Sequence, residues 1–146
     1  MKKQILLLTI LTILSCGLVG QTQDDSISKA TALIKKYVTE DTRDVINIKI
    51  INRHNGQYTI TSSLWTNRDS VKLYSYIVDM TGGKRDTVLN LSKQIFLSKL
   101  DRASIPSNSM KLAGHIQTIS VRKGDKEDII QTIDGRALMN LLEYGE

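Results

Sequence analysis

The sequence holds few side chains that could act as an acid, a base or a nucleophile. Its two histidines are His54 and His115, and its single cysteine is Cys16. A histidine held beside a serine and an aspartate would form the triad of a hydrolase, but such triads are recognised by geometry and not by sequence order. His54 falls in a predicted turn and His115 just before a predicted strand. We therefore interpret both as surface or structural residues, and a small periplasmic hydrolase that uses His115 or His54 is the enzymatic alternative.

Motifs for metal, phosphate and dinucleotide chemistry are missing from the sequence. There is no nucleophile elbow, no phosphate-binding loop with its lysine, no paired-histidine zinc motif and no dinucleotide glycine fingerprint. Two histidines are too few for a three-histidine zinc site. Asp125, Glu127 and Asp128 lack the ligand spacing of an EF-hand, so a solvated hairpin turn explains them better. We expect no catalytic residue, no metal and no cofactor.

Three aromatic residues are the best candidates for binding a ligand. Trp65, Tyr74 and Tyr76 fall on one face of two predicted neighbouring strands, together with Lys72. Flat rings beside hydroxyl groups suit a sugar, a peptide or a partner protein, because a ring removes much surface from water at a small entropic cost. Two simpler explanations stay open. Cross-strand aromatic pairs stabilise an exposed sheet by themselves, or the C-terminal hairpin packs there as a second core layer.

Hydrophobic periodicity predicts the elements that must position these side chains. The predicted helices cover residues 26–39, 92–103 and 136–143, with Asp25 or Ser26, Ser92 and Asp134 as the capping residues. The predicted strands cover residues 45–52, 57–66, 70–80, 87–91, 116–122 and 127–133, the last two forming a hairpin around 123–126. The order predicts an α+β fold: an N-terminal helix packed on a mainly antiparallel meander sheet, then a helix, a β-hairpin and a C-terminal helix.

The first hairpin tests the register of this sheet. A two-residue loop at Asn55 and Gly56 would put the isoleucines of the first strand beside threonine, serine and tryptophan. A three-residue loop, 54–56, instead puts them beside Ile60, Ser62 and Leu64, and the apolar pattern favours it because a one-residue slip flips every side chain. The predicted core face is Ile46, Ile48, Ile50, Tyr58, Ile60, Leu64, Val71, Leu73 and Ile77, with the first helix as its cover.

Residues 1–20 have the features of a secretory signal. Two lysines precede an uncharged run, residues 5–14, that is shorter than the roughly 20 residues of a membrane-spanning helix. Ile13, Leu14, Ser15 and Cys16 resemble the box at which bacterial lipoproteins are processed. The resemblance implies cleavage before Cys16 and attachment of two acyl chains to it, enough for stable anchoring. Ordinary cleavage after Gly20 is the alternative, and neither leaves a free thiol in the folded part.

The domain organisation and the charge follow from this leader. We predict a signal peptide at residues 1–15 or 1–20, a short polar tether at 21–25, and one globular domain at 26–146. The full chain has 20 basic and 15 acidic residues and a net charge of +5. Loss of two leader lysines leaves 18 basic against 15 acidic residues, or +3. No run of Lys or Arg exceeds two residues, so we expect no nucleic-acid partner.

These observations predict an exported bacterial protein of the cell envelope, either a lipoprotein or soluble in the periplasm or outside the cell. We expect a small non-enzymatic binding or adaptor domain whose partner is another envelope protein or a glycan. Two alternatives stay open, the hydrolase described above and a structural envelope protein without a specific ligand. The structural role predicts that the face of Trp65 is fully covered.

Overall fold

The computed structural model describes residues 25–40, 45–52, 58–79, 81–105 and 116–146. The predicted signal peptide, the lipidation residue Cys16 and nearly all of the predicted tether lie outside these residues. His54, His115 and the loop of the first hairpin also lie outside them.

The described residues form three α-helices and one six-stranded antiparallel sheet, which confirms the predicted α+β fold. In chain order the elements are α1 (Ser26–Thr39), β1 (Val45–Asn52), β2 (Tyr58–Thr66), β3 (Ser70–Val78), β4 (Lys84–Ser92), α2 (Lys93–Ala103), β5 (Gln117–Lys123), β6 (Lys126–Thr132) and α3 (Arg136–Tyr144). The strand order across the sheet is β4-β3-β2-β1-β5-β6. The chain therefore builds a four-stranded meander and then returns to extend it at β1.

The first hairpin has the register that the apolar pattern predicts. Ile46 pairs with Leu64 and Ile50 pairs with Ile60. Ile48 pairs with Ser62, a buried serine in an otherwise apolar row. The isoleucines of β1 therefore join one buried face, as the argument from side-chain alternation requires.

All three helices pack on that buried face, whereas the sequence analysis named only the first helix as its cover. α1 lies over β5, β6 and β1, whereas α3 lies over β2 and β3. α2 contacts β3 and β4 and also touches both other helices. The sequence predicted α1 as the cover of the core face of β1, β2 and β3; α1 does pack on the sheet, but of these three strands it lies over β1, and α3 covers β2 and β3 because β5 and β6 extend the sheet beneath α1. The predicted core residues are buried except Tyr58, which is partly buried against the core.

The C-terminal hairpin excludes one of the open alternatives and corrects one prediction. It does not pack on the face of Trp65, because β5 pairs edge-on with β1 and so widens the sheet. Its turn is also tighter than predicted: Lys123 pairs with Lys126, which leaves only Gly124 and Asp125 in the turn. Gly124 has a φ of 58°, a left-handed conformation that glycine adopts without steric cost.

The helix ends confirm one predicted cap and correct another. The Ser92 side chain accepts a hydrogen bond from the Ile95 backbone N–H at 3.2 Å and caps α2 as expected. For α3 the N-cap position is Gly135, one residue after the predicted Asp134. At α1 the N-cap is Asp25, with no side-chain capping hydrogen bond.

Two sets of buried polar contacts connect α3 to the sheet. The Ser62 and Ser75 hydroxyls lie 2.7 Å apart, and the Ser75 hydroxyl donates to the Leu142 carbonyl at 2.6 Å. Glu143, with 6% of its surface exposed, forms an ion pair with Arg85 and accepts a hydrogen bond from a tyrosine of β2. These contacts fix α3 over the two central meander strands.

Candidate functional site

The sheet face opposite the helices carries no covering layer among the described residues. We call it the open face. It is made by the alternate residues of each strand that point away from the core: Val45, Asn47, Lys49 and Ile51 of β1; Thr59, Thr61, Ser63 and Trp65 of β2; Lys72, Tyr74, Tyr76 and Val78 of β3; Lys84, Asp86, Val88 and Asn90 of β4; Thr118, Ser120 and Arg122 of β5; and Glu127, Ile129 and Gln131 of β6. None of these residues is buried.

The structure brings the four predicted binding residues together on this face. Trp65 pairs across the β2–β3 ladder with Lys72, while Tyr74 pairs with Ser63 and Tyr76 with Thr61. Trp65 is 42% exposed, and the two tyrosines are half-buried. The rings therefore follow one another along the β2–β3 ladder, with successive steps of about 7 Å along the strands, since a strand rises about 3.4 Å per residue. We call these three residues the aromatic strip.

Hydroxyl and amide groups surround the aromatic strip. Thr61 and Ser63 lie beside the tyrosines, and the Ser63 hydroxyl donates to the Asn47 side-chain oxygen at 2.9 Å. Ser120, further along the same face, donates to Glu127. Such groups present both donors and acceptors to a ligand at the level of the rings.

Positive charge exceeds negative charge on the open face. Its cations are Lys49, Lys72, Lys84 and Arg122, and its anions are Asp86 and Glu127. Arg122 pairs directly across the β5–β6 ladder with Glu127, and Lys84 lies two residues from Asp86 on the same strand. Among the described residues none of these four cations forms an ion pair. Lys72 lies directly opposite Trp65 and Lys49 lies opposite Thr61, whereas Asp86 lies opposite Tyr76, so two cations and one anion adjoin the aromatic strip.

Two hydrophobic residues extend the open face to both edges of the sheet and were not among the sequence candidates. Val88 on β4 is 53% exposed, and Ile129 on β6 is 67% exposed. Their alternation within each strand is visible in the sequence. Their shared face becomes evident only when β5 and β6 are placed beside β1.

A groove of about 910 Å³ lies on the helical side, away from the aromatic strip. Lys35 of α1 pairs with Asp101 of α2 across it at 2.8 Å, and Arg68 and Lys93 also line it. The ion pair is exposed on both sides, so it contributes little to stability. The groove holds no histidine or cysteine, and the described residues contain no group of three metal-ligating side chains.

A second polar cluster lies where α1 ends beside the β5–β6 turn. The Lys123 ammonium donates to Glu40 at 2.5 Å and lies 5.1 Å from the centre of the Tyr37 ring. The hydrogen bond from Lys123 holds the pKa of the Glu40 carboxyl below its usual value. These contacts tie the end of α1 to the β5–β6 hairpin.

A third polar cluster surrounds Glu143 at the other end of the sheet. Arg85 donates to the hydroxyls of Tyr58 at 3.2 Å and Tyr144 at 3.3 Å, besides its ion pair with Glu143. Burial raises the pKa of the Tyr58 phenol, and the nearby Arg85 guanidinium opposes this shift. Arg85 contacts Tyr58, Tyr144 and Glu143 together, which favours a structural role in holding α3 on the sheet.

Comparisons with known protein families, with curated proteins and with solved structures find no match to this chain. None of the described helices is long and apolar enough to cross a membrane.

Proposed function

We propose that this chain is an exported protein of the bacterial cell envelope that works as a non-enzymatic binding module, with the open face as its contact surface. The observation that carries the proposal is the aromatic strip, displayed with Trp65 42% exposed on a sheet face that no described element covers. A structural envelope protein without a ligand predicts a covered Trp65.

The composition of the open face supports a contact role. An antiparallel sheet can expose one face to water, and that face then carries polar side chains. Here the outward positions of β2 and β3 include Trp65, Tyr74 and Tyr76 instead. Tryptophan and tyrosine are enriched where proteins bind partners, because each buries a large area and loses few rotatable bonds.

The packing of the opposite face makes the open face a rigid platform. Every strand that carries the aromatic strip is backed by a continuous core, and Leu64, Leu73 and Ile77 behind it are buried. Because the strands are held on both sides by neighbouring ladders, the rings need little ordering when a ligand arrives.

Site-specific photocrosslinking in the native cell tests the contact surface. A benzophenone amino acid at Trp65 is compared with the same amino acid at Ile95, which is 50% exposed on α2. Since the two positions match in exposure but lie on opposite sides of the sheet, we expect an adduct at Trp65 and none at Ile95. Adducts at both positions, or at Ile95 alone, would contradict the proposal.

The mass of the mature N-terminus tests the envelope location. Two acyl chains on Cys16 would show a lipid-anchored form, and an unmodified start at Gln21 would show the soluble exported form. A chain in the cytoplasm that keeps residues 1–20 would contradict export.

A further inference from the structure

The side chains at the centre of the open face suit a ligand that is rich in hydroxyl groups. The side chains on the β1 side of the aromatic strip are Thr61, Ser63, Asn47 and Lys49, and on the β4 side Asp86 and Val88 lie opposite Tyr76 and Tyr74. The dry centre of a protein–protein interface is depleted in lysine and serine, since their groups lose water there without full compensation. A polyhydroxylated ligand instead supplies partners for these hydroxyl and amide groups.

The aromatic strip follows the direction of the strands, with Trp65 on β2 and the two tyrosines on the neighbouring β3. Trp65, Tyr74 and Tyr76 occupy successive outward positions along the β2–β3 ladder, from one end toward its middle. The strip is therefore about 14 Å long, two steps of two residues at about 3.4 Å per residue. The flat C–H face of a sugar ring stacks on an aromatic ring, so a line of rings matches a linear chain of sugars better than a single small molecule.

Two unpaired lysines flank the strip on different strands. Lys72 is directly opposite Trp65, and Lys49 is opposite Thr61, the residue that pairs with Tyr76. Both ammonium groups are on exposed side chains without an ion-pair partner among the described residues. A chain of sugars on the strip would present its substituents to these two charges.

We propose that the open face binds a linear acidic polysaccharide, with its sugar rings stacked on Trp65, Tyr74 and Tyr76 and its carboxylate or sulfate groups paired with Lys49 and Lys72. This inference rests on the proposed function, because it names the partner of the same surface. Of the two partner classes that the sequence predicts, another envelope protein and a glycan, the proposed ligand is the glycan.

Intrinsic fluorescence of the full protein is the direct assay, because the chain contains a single tryptophan and it lies in the strip. Polygalacturonate is titrated against its methyl ester, which has the same backbone without the charge. Dextran sulfate is titrated against dextran, so that the two pairs separate carboxylate from sulfate as the source of charge. We expect the acidic polymer of at least one pair to shift the Trp65 emission at a concentration roughly tenfold lower than its neutral partner. A tenfold preference corresponds to about 1.4 kcal/mol, which two exposed ion pairs within their measured range supply.

Matched variants identify the groups involved. The double substitution Lys49→Gln/Lys72→Gln should abolish the tenfold preference, whereas Lys29→Gln/Lys36→Gln, with the same change in charge on α1, should keep it. These four lysines are exposed, so the variants retain the fold. Tyr74→Ala/Tyr76→Ala should weaken binding of the acidic and the neutral polymer together, with circular dichroism as the check on folding.

Three outcomes would overturn the inference. They are equal binding of acidic and neutral polymers, tight binding of poly-L-glutamate at the same charge concentration, and no emission change with any polysaccharide. If the last occurs while the crosslink at Trp65 still forms with a protein, the glycan is wrong and the contact surface stands. If the crosslink also fails, the proposed function falls as well.

Discussion

The buried serine pair behind the aromatic strip gives a stability prediction with a defined direction. Ser75 and Ser62 are fully buried, and their hydroxyl oxygens lie 2.7 Å apart. The Ser75 hydroxyl has one hydrogen, and it donates to the Leu142 carbonyl at 2.6 Å. Ser62 must therefore donate to Ser75, so the two hydroxyls form a directed chain from β2 through β3 to α3.

Removal of either hydroxyl has a different cost. In Ser75→Ala the Ser62 donor and the Leu142 carbonyl both lose their partner, which costs about 2 kcal/mol for a buried unsatisfied group. In Ser62→Ala the Ser75 hydroxyl keeps its bond to Leu142, so the loss is that of one ordinary hydrogen bond, about 1 kcal/mol. The double variant leaves no unpaired serine hydroxyl, so it should cost no more than Ser75→Ala alone.

Urea denaturation of the three variants and the parent protein measures these differences. The free energy of unfolding is compared between variants whose unfolding free energy falls equally steeply with urea concentration. The change then reflects stability and not an altered denatured state. A larger loss for Ser62→Ala than for Ser75→Ala, or additive losses in the double variant, would refute the directed chain. Because neither hydroxyl reaches the open face, Ser75→Ala should also keep ligand binding, and it is a control for variants of the strip.

Three further perturbations test other parts of the fold by the same urea assay. Arg85→Met leaves the buried Glu143 carboxylate without its cation and should cost about 3 kcal/mol, and Glu143→Gln in the same chain should recover part of the loss. The Thr81 hydroxyl and two backbone N–H groups hold the pKa of Asp79 below its usual value. The ionised carboxylate therefore stabilises the β3–β4 turn at a pH above the unfolded-state pKa of Asp79. This stability is lost as the pH falls through the folded-state pKa. The difference in urea midpoint between the parent and Asp79→Ala should therefore shrink from pH 7 to pH 3, and an unchanged difference would contradict it. Gly124→Ala should cost about 1 kcal/mol of stability because residue 124 has a left-handed backbone. Gly124→Asn should cost less, because asparagine adopts that conformation more readily than alanine. An equal cost for the two variants would point to a different cause.

The sequence was sufficient to predict the first half of the sheet. The alternation of Ile46, Ile48 and Ile50 allows only one register against β2, since the other would expose all three side chains. Local signals of this kind also predict Ser92 as a cap, because a cap depends on residues within one helical turn.

The sequence did not reveal where the last hairpin joins. The meander presents two free edges, β1 and β4, and backbone hydrogen bonds are equally available at either. Only the packing of α1 over β5 and β6 distinguishes them, and that depends on contacts between distant parts of the chain. The burial of Glu143 was missed for the same reason, since its partner Arg85 belongs to a different element.

The same uncertainty limits what could be predicted about the binding surface. Trp65, Tyr74 and Tyr76 were identified because they alternate with core residues on adjacent strands. The sequence could not say whether the C-terminal hairpin would cover them. That question depended on the edge at which β5 pairs, and pairing with β1 leaves Trp65 exposed and the two tyrosines half-buried.

The strand order also has a consequence for how the chain reaches its native state. Strand β1 lies in the interior of the finished sheet, yet its partner β5 comes about half a chain later, where Ile46 pairs with Lys123. Until β5 arrives, β1 is an unprotected edge rich in isoleucine, the kind of segment that pairs with other chains and aggregates. Closing this ladder across a long loop carries an entropic cost, so we expect it to form late in folding. A chain that is truncated before β5 should therefore be far more prone to aggregation than one that has lost only α3.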